Sequence, residues 1–224
     1  MILVLVAAGG ASAPSAATLA PLEAEVVTLE DLAAGPSMLV DPGFERSELT
    51  VAGRRVAARD LKGVINLVPT VLPGLLTFYA EEEREYQAAE LHAWLSFFLS
   101  SLACPVVNRP TAVSLTGPAL SALSWLRIAR GAGIATAPFT LDSRDVGRSI
   151  RRPVEDGDDV LCIAGSVVRP EGSRAEESAS ALARASGVVY LRAWFDADSR
   201  LLGASSVPDL RPEPTRRALA AYLA

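Results

Sequence analysis

An unbroken apolar run opens the chain at Ile2-Leu3-Val4-Leu5-Val6, followed by Gly9-Gly10, a small-residue stretch from Pro14 to Ala20, and a second extended run from Glu25 to Leu29. Short apolar runs bounded by turn residues mark strands buried on both faces, so this order predicts strand, turn, helix, strand, the start of a parallel α/β sheet. A crossover between parallel strands is right-handed, which places the Ala-rich helix over one sheet face. Leu39-Val40 and the stretch from Val51 to Val56 read as short strands or a hairpin, with turns at Asp41-Pro42-Gly43 and Ala52-Gly53. Lys62 to Val68 is the next buried strand, and Pro69 to Gly74 ends it in a loop.

The rhythm then changes. From Glu81 to Leu102, Tyr86, Ala89, Trp94, Leu95, Phe98 and Leu102 recur at helical spacing. Glu81, Glu82, Glu83 and Glu85 fall in the first turns, where the helix dipole favours negative charge, and that accounts for the acidic run without a metal. His92, the one histidine, lies on this helix with no acid or thiol partner visible in the sequence, and reads as a surface or packing residue. A strand at Pro105 to Asn108 and a helix from about Pro118 to Arg130 follow, the latter ended by Gly131-Ala132-Gly133. Ile134 to Thr140 runs extended, with Pro138 excluding helix. The polar segment from Asp142 to Asp158 is the expected domain boundary.

Beyond it the pattern predicts strands at 160–164 and 167–169 around a turn at Gly165, then a helix at 175–185. Strands at 188–195 and 201–205 come next, and a closing helix at 214–223. Hairpins with helices on one side imply an α+β piece, so the organisation expected is an α/β domain over 1–141 and an α+β domain over 142–224.

With 224 residues and 50% apolar content, the chain can bury a substantial core. A net charge of −5 supplies no cationic face for nucleic acid. Ile2 to Ala8 is a short run with no Lys or Arg before Arg46, which fits a buried strand better than a secretory signal. No stretch approaches the ~20 apolar residues that span a bilayer. The expectation is a cytoplasmic protein that binds neither nucleic acid nor membrane. Cys104 and Cys162 sit in apolar runs and read as two buried free thiols.

Val106-Val107-Asn108-Arg109-Pro110 leads to a helix ending Ala129-Arg130-Gly131-Ala132-Gly133-Ile134, and then to Ala137-Pro138-Phe139-Thr140. This succession resembles the pre-ATP-grasp domain of the ATP-grasp peptide-ligase superfamily, especially the maturases of ribosomally made peptides. Ala181 to Leu191 is similar to the helix and strand before that fold's final hairpin. Leu201 to Leu210 falls where the family's acidic residue and Asn-Pro pair hold magnesium. The resemblance implies a Rossmann-like parallel-sheet domain followed by a small α+β remnant of an ATP-grasp fold.

The departures are specific. Between Thr140 and Val160 there is no room for a nucleotide-binding subdomain. Where the family carries a lysine at the start of the second helix, this chain has Gly117-Pro118; Lys62 is its one lysine. The magnesium position reads Ala204-Ser205-Ser206-Val207-Pro208, with Asp209 beyond it, and a strand that commonly ends in an arginine pair reads Ile65-Asn66-Leu67-Val68-Pro69. Acyl-phosphate formation needs hard oxygen ligands for magnesium and cations for the developing charge, and Ser and Ala are poor replacements.

The expectation is therefore a noncatalytic ATP-grasp-like protein, with no catalytic residue, metal or cofactor, acting as a binding or scaffold partner in peptide biosynthesis. The alternative is a divergent ligase or other small-molecule enzyme that keeps the cleft and takes ATP and magnesium. An independent Rossmann-like binding module is a third reading. Partners implied are a second copy of the chain, a full-length ATP-grasp ligase, or a peptide. Candidate ligand contacts are Ser12 and Ser15 in the first loop, Asn108 and Arg109 at a strand end, and Arg151 and Arg152 in the polar segment. Each has a structural reading beside it: a tight turn with a helix cap, a strand-end cap that pairs with a neighbouring acid, and a charge-balanced solvated loop.

Overall fold

The computed structural model describes residues 1–8, 14, 16–35, 47–51, 53–138, 158–169 and 174–224. Contacts divide these into two compact units, 1–119 with 208–224, and 120–207. The polar residues 142–157, where composition suggested a boundary, lie outside the described residues.

The first unit is built on a parallel sheet of β1 (Ile2–Val6), β2 (Ala24–Thr28), β5 (Gly63–Asn66) and β6 (Val106–Val107), in the order β2-β1-β5-β6. β1 is buried along its whole length, as its unbroken apolar sequence requires of a central strand. Between these strands run α1 (Ala16–Leu19) with a 3-10 turn at Ala20–Leu22, α2 (Leu29–Ala34), a hairpin of β3 (Glu48–Val51) and β4 (Arg54–Ala57), and α3 (Arg84–Ser101). α2 replaces the end of the second predicted strand. Thr28 closes that strand and caps the helix: its Oγ1 accepts from the Asp31 N–H at 3.0 Å, while Asp31 accepts from the Thr28 N–H at 2.9 Å.

Helices cover both faces of this sheet. Leu3, Leu5, Val27 and Val64 share one core with Leu95, Phe98 and Leu99 of α3. On the opposite face lies the closing helix, α6 (Glu213–Leu223). Its Leu223 sits so close to β5 that a Cβ on Gly63 would come within 2.6 Å of a Leu223 methyl carbon. Glycine at 63 is therefore required by close approach rather than by backbone conformation.

The second unit carries an antiparallel sheet ordered β10-β9-β7-β8, from β7 (Asp159–Ile163), β8 (Ser166–Arg169), β9 (Tyr190–Phe195) and β10 (Leu201–Ser205). Ala164 and Gly165 join β7 to β8 with φ of 51° and 79°, the double positive φ that matches the twist of a two-residue hairpin. α4 (Ala122–Gly131) and α5 (Glu176–Ser186) pack on one sheet face with Val160, Cys162, Leu191, Ala193 and Phe195. α4 starts four residues after the Pro118 predicted for it, because the Ser121 hydroxyl accepts from the Ser124 N–H and sets the cap there. Ala135 and Ala137 bond to Leu201 at the β10 edge, so the predicted extended segment is a single bridge.

Candidate functional site

In an open parallel sheet, ligands bind outside the carboxyl ends of the strands, where successive strands depart to opposite sides. Here β2 and β5 flank β1, so the switch point lies at the carboxyl ends of β1 and β5. Ala7 and Ala8 leave β1 there; Ser12 and Ser15, predicted to line this loop, lie outside the described residues, as do Arg151 and Arg152.

The β5 side of this edge is a closed polar knot. Asn66 is fully buried. Its Nδ2 donates to the carbonyls of Val68 (3.1 Å) and Leu115 (2.8 Å), and its Oδ1 accepts from the Val68 N–H at 3.0 Å. The Leu115 N–H in turn donates to the Pro69 carbonyl at 2.8 Å. The loop after β5 is thus clipped to the loop after β6. Ser114 and Thr116, also buried, face each other with hydroxyls 3.1 Å apart. Sequence reasoning did not single out Asn66, although it is a lone amide in an apolar run, and nothing local pointed to Leu115.

Asn108 and Arg109 are neighbours in sequence with different surroundings. Asn108 is buried at the exit of β6 with φ of 52°, a conformation asparagine tolerates better than most residues. Arg109 reaches the end of α3, where its guanidinium donates to the carbonyls of Leu99 (3.1 Å), Ser100 (3.1 Å), Leu102 (2.9 Å) and Cys104 (3.0 Å). Those carbonyls have no partner inside the helix, so Arg109 is a side-chain cap on a helix end. The sequence reading was a strand-end cap paired with a neighbouring acid; the partners of Arg109 are instead carbonyls at the end of α3. His92 packs as expected, its Nδ1 accepting from the Val71 N–H at 3.4 Å.

Lys62 is exposed at the amino end of β5, across the sheet from the carboxyl edge. At the exit of β10, the Ser205 hydroxyl accepts from the Val207 N–H at 3.2 Å. Asp209 accepts from Arg211 Nε and a terminal nitrogen, both at 2.8 Å. Among the described residues no three His, Cys, Asp or Glu side chains gather where they could hold a metal. No helix among them is long and apolar enough to cross a membrane.

The second face of the antiparallel sheet, opposite α4 and α5, carries the cross-strand pairs Ile163–Tyr190, Leu161–Arg192 and Asp159–Trp194. Tyr190, Leu161 and Ile163 are buried. At the other end Arg192 Nε bridges both Asp159 oxygens at 2.9 and 3.0 Å, and its guanidinium lies 5.8 Å from the Trp194 ring centroid. This guanidinium is matched by a carboxylate in the same face.

No protein-family model and no curated protein matches the sequence. Solved structures do match, over nearly their full length. The macrocyclase MdnC from Microcystis aeruginosa MRC, bound with its precursor peptide MdnA, superposes with a TM-score of 0.67 at 12% identity, covering 100% of this chain and 99% of that one. The fold is ATP-grasp-like. The ATP-grasp ligase PsnB, complexed with minimal precursor, Mg and ADP, gives a TM-score of 0.65 at 14% identity over 99% of this chain and 96% of that one. A RiPP-associated ATP-grasp ligase of Chryseobacterium gregarium, in complex with ADP and a leader and core peptide, gives 0.66 at 11% over 99% and 96%. The ATP-grasp-like chain therefore has the expected fold class: a parallel α/β sheet domain and a smaller antiparallel α+β piece.

Proposed function

We propose that this chain is a noncatalytic ATP-grasp-like protein that binds a peptide, or a peptide-processing enzyme, in the biosynthesis of ribosomally made peptides. The observation that carries the reading is Lys62: the one lysine of a chain with this fold stands exposed at the amino edge of the parallel sheet. ATP-grasp chemistry passes through charge on phosphoryl oxygens that cations and magnesium must stabilise. The sequence offers Gly117-Pro118 where the resembling ligases carry a lysine, and Ser205-Ser206-Val207-Pro208 where they carry magnesium ligands.

Binding a peptide involves no phosphoryl transfer, so it calls for neither the cations nor the magnesium ligands that the sequence lacks. The solved neighbours include complexes with precursor peptides, which supports a peptide as the ligand class here. The nineteen residues between Thr140 and Val160 are read as a shortened counterpart of the nucleotide-binding subdomain.

Calorimetric titration of the purified chain tests the proposal, with ATP and ADP in the presence and absence of magnesium, and separately with a precursor-type peptide. The expected outcome is no nucleotide heat and a peptide isotherm that magnesium leaves unchanged. Magnesium-dependent ATP binding, or ATP turnover by the chain alone, would overturn it.

A further inference from the structure

The stretch Ser205-Ser206-Val207-Pro208 falls where the resembling ligases hold magnesium, and the register of the antiparallel sheet fixes what Ser205 faces. Ser205 on β10 is paired with Arg192 on β9. Directly opposed residues of an antiparallel pair put their side chains on the same face of the sheet. On that face, opposite α4 and α5, Arg192 Nε donates to the two oxygens of Asp159 at 2.9 and 3.0 Å. The Trp194 ring centroid lies 5.8 Å from the guanidinium carbon.

These residues do not fit a divalent cation. Magnesium takes hard oxygen ligands in a tight octahedral array. Here the Ser205 hydroxyl is neutral and accepts from the Val207 N–H at 3.2 Å, and both oxygens of Asp159 are engaged by one guanidinium. That guanidinium keeps its proton at any ordinary pH, so a second cation brought beside it meets a fixed like charge. The side chains of Arg192 and Asp159 are 31% and 45% exposed, so water and salt screen this repulsion only in part.

We propose that Arg192 takes the cation's place on this sheet: it supplies a fixed positive charge that no chelator removes, and it keeps divalent metal off the face. The inference rests on reading residues 205–208 as the counterpart of the magnesium position, and is independent of peptide binding. It is also more than a loss of ligands. A chain that had only lost its ligands would regain the metal once they were restored, whereas this chain refuses it for as long as Arg192 is present. Asp159 positions the guanidinium as its counter-ion and Trp194 as a π face. An anionic ligand reaching this face meets the same charge with or without magnesium.

Titration of the full chain with Mn²⁺, read by loss of the free ion's electron paramagnetic resonance signal, tests this; Mn²⁺ takes the same oxygen ligands as magnesium. The wild type is expected to leave the signal unchanged. Ser205→Glu with Val207→Asn places a carboxylate and an amide ahead of Pro208, and this variant is expected to leave it unchanged too. Adding Arg192→Gln to that pair is expected to raise the affinity for Mn²⁺ at least about tenfold, whereas Arg192→Lys, which keeps the charge, is expected not to. Circular dichroism checks that each variant is folded, and Arg192→Leu serves should Arg192→Gln fold poorly. A Ser205→Glu, Val207→Asn variant that binds Mn²⁺ as tightly with Arg192 as without it overturns the inference and leaves the noncatalytic reading standing. Folded triple variants that bind no Mn²⁺ also overturn it, as does wild-type binding that Asp159→Asn abolishes.

Discussion

Gly117 lies directly against Asn108: a Cβ on residue 117 would come within 2.7 Å of the Asn108 Cβ and 3.3 Å of its carbonyl oxygen. Both residues have positive φ, 89° and 52°. The loop after β6 therefore has no room for a side chain at residue 117. Gly117→Ala is expected to destabilise the fold by about 1–3 kcal/mol, from backbone strain and the close contact together. Gly117→Lys should cost at least as much and should not create nucleotide binding. Urea denaturation with calorimetry on both variants checks this.

Arg109→Ala is expected to act on stability. Its loss leaves the carbonyls of Leu99, Ser100, Leu102 and Cys104 without their charged donor, a cost of roughly 1–3 kcal/mol once partial exposure is allowed for. Arg109→Lys should recover little, because one ammonium cannot span carbonyls that a planar fork reaches. The melting temperature is the readout. Peptide affinity lost at unchanged melting temperature would instead make Arg109 a ligand residue.

How far the sequence foretold this arrangement depends on how local each cause is. β1, α5 and the Ala164-Gly165 hairpin were legible because an apolar run, a helical period or a turn residue states them within a few positions. α2 was missed although Thr28 and Asp31 have capping-box spacing, because the strand's apolar run extends through Leu29. The placement of α6 was not legible at all, since the approach of Leu223 to Gly63 joins opposite ends of the chain. At the candidate site, the residue types Asn108 and Arg109 could be picked out, but their directions could not. The direction of Arg109 is fixed by a helix end upstream of it, and the clip of Asn66 by a carbonyl 49 residues away.

Asn66→Leu keeps the branching of the side chain at Cγ and removes all three of its hydrogen bonds. The Val68 N–H and the Leu115 carbonyl are then left without this partner in the interior, and the expected loss is roughly 2–4 kcal/mol. Asn66→Asp should be worse near neutral pH, since a carboxylate would face the two carbonyls that now accept from Nδ2. Such a buried carboxyl has a raised pKa, so the stability of this variant should be greatest at low pH and fall as pH rises through that value. Denaturant midpoints for Asn66→Leu and Asn66→Asp at two pH values separate the lost bonds from the added charge.

Cys162 makes the folded state sensitive to alkali. Burial among the side chains of α5 and the antiparallel sheet pushes its thiol up to about 11, and the hydrogen bond with Ser180 and the charge of Arg184 only partly offset this. The unfolded chain releases this proton near the ordinary value of 9.0 and the folded chain does not. The contribution of the buried thiol is therefore complete below the unfolded value and is lost as pH climbs through the folded one. Compared with Cys162→Ala, the wild type should have an unfolding free-energy advantage at about pH 8 that shrinks by about pH 10.5. The same burial should leave Cys162 almost unreactive toward a thiol reagent in the native state and reactive in denaturant, since the thiolate is the nucleophile. An advantage independent of pH, or rapid native-state labelling of Cys162, would show that the thiol is not held neutral by the core.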